Sequence, residues 1–145
     1  MKLSVNLNKI ALLRNSRGGN TPSLIDYAEQ SIKLGVDGLT LHPRPDHRHA
    51  TSQDALLISD LCRRNNIEFN LEGNPFSEPE GDYLGFELLC LESQPDQVTL
   101  VPDTLDQITS DHGWQRGYMD TELRAFIKKM NNSKCRTSLF INADI

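Results

Sequence analysis

A chain of 145 residues has the length of one domain, and folding at that size buries about 68–70% of the surface the unfolded chain exposes. Lys and Arg total 15 against 20 Asp and Glu, and the net charge of -5 argues against a protein built mainly to neutralise nucleic-acid phosphates or an anionic membrane. A hydrophobic content of 37% with 24% charged residues is too apolar and too evenly mixed for a disordered chain, so the protein is globular and any anionic ligand needs a local basic cluster.

In chain order, Leu3, Val5 and Leu7 alternate with Ser4, Asn6 and Asn8. This is a strand pattern, and its polar residues interrupt any signal-peptide apolar stretch, which predicts a cytoplasmic protein. After a polar turn, Thr21 as N-cap and Pro22 in the first turn open a helix carrying Leu24, Ile25, Ala28 and Ile32, and Gly35 ends it. A short strand from Gly38 to Leu41 leads into the polar stretch HPRPDHRHA. A second helix follows, capped by Thr51 with Asp54 three residues on, and bearing Ala55, Ile58, Leu61 and Cys62. Beyond it the pattern predicts a strand at Ile67 to Leu71, a weaker helix at Asp82 to Leu91 and a strand at Gln97 to Val101. A helix from Thr121 with Leu123, Phe126, Ile127 and Met130, and a last strand at Thr137 to Ile141, complete the order.

Strand starts recur at roughly 30 residues, the size of a βαβ unit, which predicts an α/β fold with a parallel sheet. A dinucleotide-binding sheet needs G-x-G-x-x-G directly after its first strand, but here the Gly18-Gly19 pair comes too late. The alternative is the (β/α)8 TIM barrel, which places functional side chains at the carboxyl ends of successive strands. Polar residues occur there in order: Asn6 and Asn8, His42 and Arg44, Glu72, Asp103, then Asn142 and Asp144. With only five strands, the chain covers part of such a barrel, and residues 1–145 read as the N-terminal portion of a single domain. An open half barrel is expected to expose two sheet edges and an apolar inner face, which predicts pairing with another copy or a missing segment.

Taken singly, each polar residue has a plain structural reading: His42 as a histidine under a loop, Arg44, His47, Arg48 and His49 as a solvated turn, Glu72 as a surface carboxylate. Together, a His and a Glu on neighbouring strand ends form a pair able to take and return protons, while Arg17, Arg44 and Arg48 supply forked donors for phosphate oxygens. Acid-base work on a phosphorylated small molecule is the inference. The loop's histidines lack helical i, i+4 spacing and lie among arginines, which argues against a metal site. Cys62, Cys90 and Cys135 are odd in number, far apart and set among apolar neighbours, as expected of buried reduced thiols.

The segments VNLNKIALLRNSRG, DGLTLHPRPDHRHAT, NLEGN, LVPDTLDQITSDHG and SLFINAD, in this order, resemble the pyridoxine 5'-phosphate synthase family over essentially the whole chain. The resemblance implies a TIM barrel that condenses 3-amino-2-oxopropyl phosphate with 1-deoxy-D-xylulose 5-phosphate, giving pyridoxine 5'-phosphate, phosphate and water in vitamin B6 biosynthesis. It implies no metal or organic cofactor and, for an intact enzyme, a homo-octamer. By the same resemblance His42 and Glu72 are the proton acceptors, Asn6 and Arg17 hold the amino-ketone phosphate, and Arg44, His49 and Thr109 hold the deoxyxylulose phosphate. Where the family has Asp-His, this chain has Asn8-Lys9, which predicts altered affinity at those two substrate-binding positions, with Lys9 meeting phosphate as a point charge. Strands six to eight, with the family's general-acid His and glycine-rich phosphate cradle, are not among these residues, so the 145-residue chain alone is expected not to turn over. The alternative reading is a non-catalytic relative that binds a phosphorylated metabolite.

Overall fold

Period-two alternation and helical spacing resolve, in the computed structural model, into ten elements among the described residues, which are 1–104, 106–107, 109–115, 117 and 120–143. The strands are β1 (Ser4–Asn6), β2 (Gly38–Leu41), β3 (Glu68–Gly73), β4 (Gln97–Leu100) and β5 (Arg136–Leu139). The helices are α1 (Asn8–Ser16), α2 (Leu24–Lys33), α3 (Ser52–Asn65), α4 (Phe86–Ser93) and α5 (Asp120–Asn132). All neighbouring strands pair in parallel, in the order β1-β2-β3-β4-β5. Right-handed crossovers that always advance in the same direction put every connecting helix on one face. A doubly wound sheet would reverse its order at a switch point, so this is a stretch of barrel wall.

The register assigns each residue a face. Leu39, Leu41, Phe69, Leu71, Val98 and Leu100 point to the helices and are almost completely buried with Ala28, Ala55, Ile58, Leu89 and Phe126. The opposite face carries Ser4 and Asn6, Gly38 and Thr40, Glu68, Asn70 and Glu72, Gln97 and Thr99, and Arg136 and Ser138. The expected apolar inner face is therefore corrected: this face is polar and its side chains bond one another. Ser4 Oγ lies 2.9 Å from Thr40 Oγ1, and Asn70 Oδ1 accepts from Thr99 Oγ1 at 2.9 Å and Gln97 Nε2 at 3.2 Å. Lower on the face, Arg136 makes a two-pronged pair with Glu68 at 3.0 and 3.1 Å.

Local structure departs from the sequence expectation in three places. The polar turn after β1 is instead α1, which has no side-chain N-cap and buries Ala11. The cap of α2 is Ser23, whose Oγ accepts from the Asp26 N–H, so Thr21 and Pro22 precede the helix. The start of α4 is delayed from Asp82 to Phe86. Gly85 before it has φ of 80°, and a Cβ there would lie 2.9 Å from the Pro79 ring, so only glycine fits. At α3 the capping box between Thr51 and Asp54 is present as the sequence predicts. Cys62, Cys90 and Cys135 are free and buried, and burial pushes all three thiols up.

Candidate functional site

The carboxyl ends of β1 to β4 open on a cavity of 370 Å³ lined by Asn6, Asn8, Lys9, His42, Arg44, His49, Glu72, Val101, Asp103, Thr109, Ser110 and Phe140. Every predicted site residue except Arg17 is in that lining. Arg17 is exposed at the C-cap of α1. Asn142 accepts from the Gly113 N–H instead of lining the cavity, and Asp144 lies outside the described residues.

Glu72 is the penultimate residue of β3, on the polar face, where the register sets it beside Thr99. Asn6 Nδ2 donates to Glu72 Oε2 at 3.2 Å, and the Asn8 amide also bonds this carboxyl. Burial outweighs those donors, and with the Asp103 charge nearby it pushes Glu72 up to about 7. Asn8 is a hub: its backbone N–H donates to Asn6 Oδ1 at 2.9 Å, and its own Oδ1 accepts from the His42 backbone N–H at 2.8 Å. The residue that starts α1 thus fixes the backbone of His42 and the carboxyl of Glu72 together.

His42 follows β2 and is 6% exposed. Burial, aided by His49 and Arg44, lowers its imidazole to about 3, so the ring is neutral at physiological pH. His49 Nδ1 lies 3.0 Å from the His42 carbonyl oxygen. Because a carbonyl only accepts, Nδ1 carries the hydrogen, which leaves Nε2 of a neutral His49 as an acceptor. Burial likewise lowers His49. The loop bearing both histidines is clamped from α1, since Asn15 Nδ2 donates to the carbonyls of His47 at 2.8 Å and His49 at 2.6 Å.

Arg44 is 4% exposed and turned onto the loop after β4. Nη1 donates to Asp103 Oδ2 at 2.9 Å, Nη2 to the Thr104 carbonyl at 3.0 Å and the Gln107 carbonyl at 3.4 Å, and Nε to Asp46 at 3.4 Å. Most of its donors are occupied by protein acceptors. Lys9 differs: it is exposed, lines the cavity and has no ion pair with a described residue. Ser110 and Asp103 join the lining without having been singled out as binding residues; Asp103 was legible only as a polar strand end. Among the described residues no group of three His, Cys, Asp or Glu side chains is placed to hold a metal ion, and no helix is long and apolar enough to cross a membrane.

Residues 3–145 match the family model described as "Pyridoxal phosphate biosynthesis protein PdxJ". The pyridoxine 5'-phosphate synthase of Xylella fastidiosa (strain M23) is 49% identical over 144 residues, covering 99% of this chain and 55% of that protein. Its counterpart in Xanthomonas axonopodis pv. citri (strain 306) is 49% identical over 142 residues, 98% of this chain and 56% of that protein. The Xanthomonas oryzae pv. oryzae (strain MAFF 311018) protein is 47% identical over 143 residues, 99% of this chain and 56% of that protein. The chain thus spans just over half the length of these curated relatives. A match through every strand and every cavity residue makes this chain a member of the PdxJ family, a TIM-barrel family of whose barrel it carries five strands.

Proposed function

We propose that this chain supplies the His42 and Glu72 part of a pyridoxine 5'-phosphate synthase site. The reaction would condense 3-amino-2-oxopropyl phosphate with 1-deoxy-D-xylulose 5-phosphate to pyridoxine 5'-phosphate, phosphate and water. The observation that carries the reading is Glu72, a half-buried carboxyl at about 7, held by two amides in a cavity with a neutral histidine. Schiff-base formation, dehydration and ring closure each move a proton at a defined carbon, and a group that titrates near neutral pH both takes and returns it. Glu72 fills that role. His42, neutral and buried, serves as a hydrogen-bond partner and proton acceptor for a substrate already in place.

Anion binding divides among the cations by availability. Lys9 meets a phosphate directly as a point charge, whereas Arg44 does so by exchanging its contacts to the loop after β4. His49, through its free Nε2, and Thr109 suit the hydroxyl groups and ester oxygens of a sugar phosphate. Arg17, on the surface beyond α1, reaches an amino-ketone phosphate only if the 8–20 segment moves inward. Cytoplasmic location and a homo-oligomeric state belong to the same reading.

The test compares product formation by the 145-residue chain, by a form extended through the natural reading frame, and by Glu72→Gln in the extended form. We expect no turnover from the short chain, turnover from the extended form, and a loss of about 10²–10⁴-fold on substitution with substrate binding kept. An extended form that binds both phosphates without turnover would favour the non-catalytic binder. Unchanged turnover in Glu72→Gln would overturn the role of that carboxyl.

A further inference from the structure

Asp103, which follows β4, is a carboxylate buried to 7% exposure in the cavity wall. Its Oδ2 collects two donors, Arg44 Nη1 at 2.9 Å and Ser110 Oγ at 2.8 Å, and faces His42 Nε2 at 3.8 Å. Its Oδ1 is buried and has no hydrogen-bond partner among the described residues. A buried carboxylate oxygen without a donor is costly to fold around, and a packing role alone does not explain a carboxylate so placed. Arg44 neutralises one side of the group and leaves the other side uncompensated inside the same cavity as Glu72.

We propose that Asp103 is a positioning residue for proton transfer at this site: its engaged oxygen fixes Arg44 and faces His42, and its buried charge, in the wall of the same cavity, acts on Glu72. The assignment rests on His42 and Glu72 being the proton-handling pair. It explains why Arg44 is held on the β4 side of the cavity and why the Ser110 hydroxyl is turned inward. The charged and titratable groups around Glu72 are Lys9 from α1, His42, Arg44 and His49 from the loop after β2, and Asp103 from the loop after β4. Of these, Asp103 alone is anionic, and its charge adds to burial in holding Glu72 up.

The experiment follows the Glu72 side-chain carboxyl of the 145-residue chain by carbon-13 NMR against pH, in the parent, in Asp103→Asn and in Ser110→Ala. Asp103→Asn keeps the shape and removes the charge, so the Glu72 midpoint is expected to fall by about half a pH unit or more. Ser110→Ala removes a hydrogen bond and keeps the charge, so the midpoint is expected to stay. An unmoved midpoint in Asp103→Asn, or an equal fall in both variants, would overturn the proposal. If Asp103→Asn does not fold, the parent's own curve decides: a second inflection in the Glu72 curve from a coupled neighbour is expected, and a single independent curve overturns the proposal. Product formation is not read, so failure here leaves the proposed reaction standing, and failure of the reaction leaves this result standing.

Discussion

Glu72 and His42 lie in one cavity yet respond to burial in opposite directions, and the signs have consequences for stability. Folding raises Glu72 from 4.5 to about 7, so the folded chain binds more protons than the unfolded one between those values. Its favourable contribution is present below pH 4.5 and is lost as pH rises through 7. That difference corresponds to about 3 kcal/mol at most, a large part of a domain's net stability. His42 is lowered from 6.5 to about 3, so its contribution is present above pH 6.5 and is lost as pH falls toward 3. Urea denaturation of the parent and of Glu72→Gln at pH 5 and pH 8 separates the carboxyl from everything else. Gln accepts and donates at the same place without ionising, so the variant is expected to gain on the parent by up to about 3 kcal/mol between the two pH values. A difference that stays constant with pH would mean that Glu72 is not held up by burial.

At the scale of elements, α1 decides where the site loop sits. Arg14 on α1 makes a two-pronged pair with Asp54 in the first turn of α3, at 2.6 and 2.7 Å, and Asp54 Oδ2 also takes the Thr51 N–H at 2.8 Å. Both side chains are largely buried, and each holds the other's charge: Asp54 hydrogen-bonds Arg14 and raises it, while Arg14 and the Thr51 donors outweigh burial and lower Asp54. Arg14→Met would leave the carboxylate with only its capping partners, and we expect a loss of about 3 kcal/mol in chemical denaturation. Hydrogen exchange in residues 42–50 should quicken as well, because the Asn15 clamp on the His47 and His49 carbonyls rides on the same helix. Stability within about 0.5 kcal/mol of the parent would show that the pair merely decorates the surface.

This helix was not legible in the sequence. Its start, Leu7, offers no capping oxygen, and its apolar residues do not fall on one stripe: Ala11 is buried while Leu13 is half exposed. Helices α2 and α3 carry a side-chain cap and α5 an apolar stripe, and they could be read; α4 has neither, and its start was misplaced because Gly85 delays it. All five strands were legible, and so were the cavity residues at the ends of β1 to β4, because polar residues at successive strand ends must meet in a parallel sheet, whereas Arg17 and Asn142 lie outside the lining and Ser110 was not foreseen. What the pattern did not convey was that Arg44 spends its donors on the loop after β4. That depends on chain paths 59 residues apart.

For the molecule as a whole, the polar concave face changes what an open stretch of barrel wall has to hide. Strands such as Glu68–Gly73 and Gln97–Leu100 alternate strictly in burial, and their polar sides are satisfied by neighbours such as Arg136, Asn70 and Thr99. No large apolar face is presented there, so association of the chain should run through its edges, where β1 and β5 have backbone groups without a strand partner among the described residues. At the β5 edge Leu139, Phe140 and Ile141 follow one another with exposures of 42, 41 and 71%, a run of exposed apolar side chains suited to such pairing. A charge at the most exposed of the three would discourage edge-to-edge pairing without touching the core. Light scattering of the 145-residue chain and of Ile141→Lys over a range of concentrations is expected to show the mean mass of the parent rising and that of the variant staying near one chain, with the same circular dichroism. Equal masses for the two would place the contact away from β5, and precipitation of both would mean that the polar face, despite its internal bonds, does not keep the open sheet dispersed.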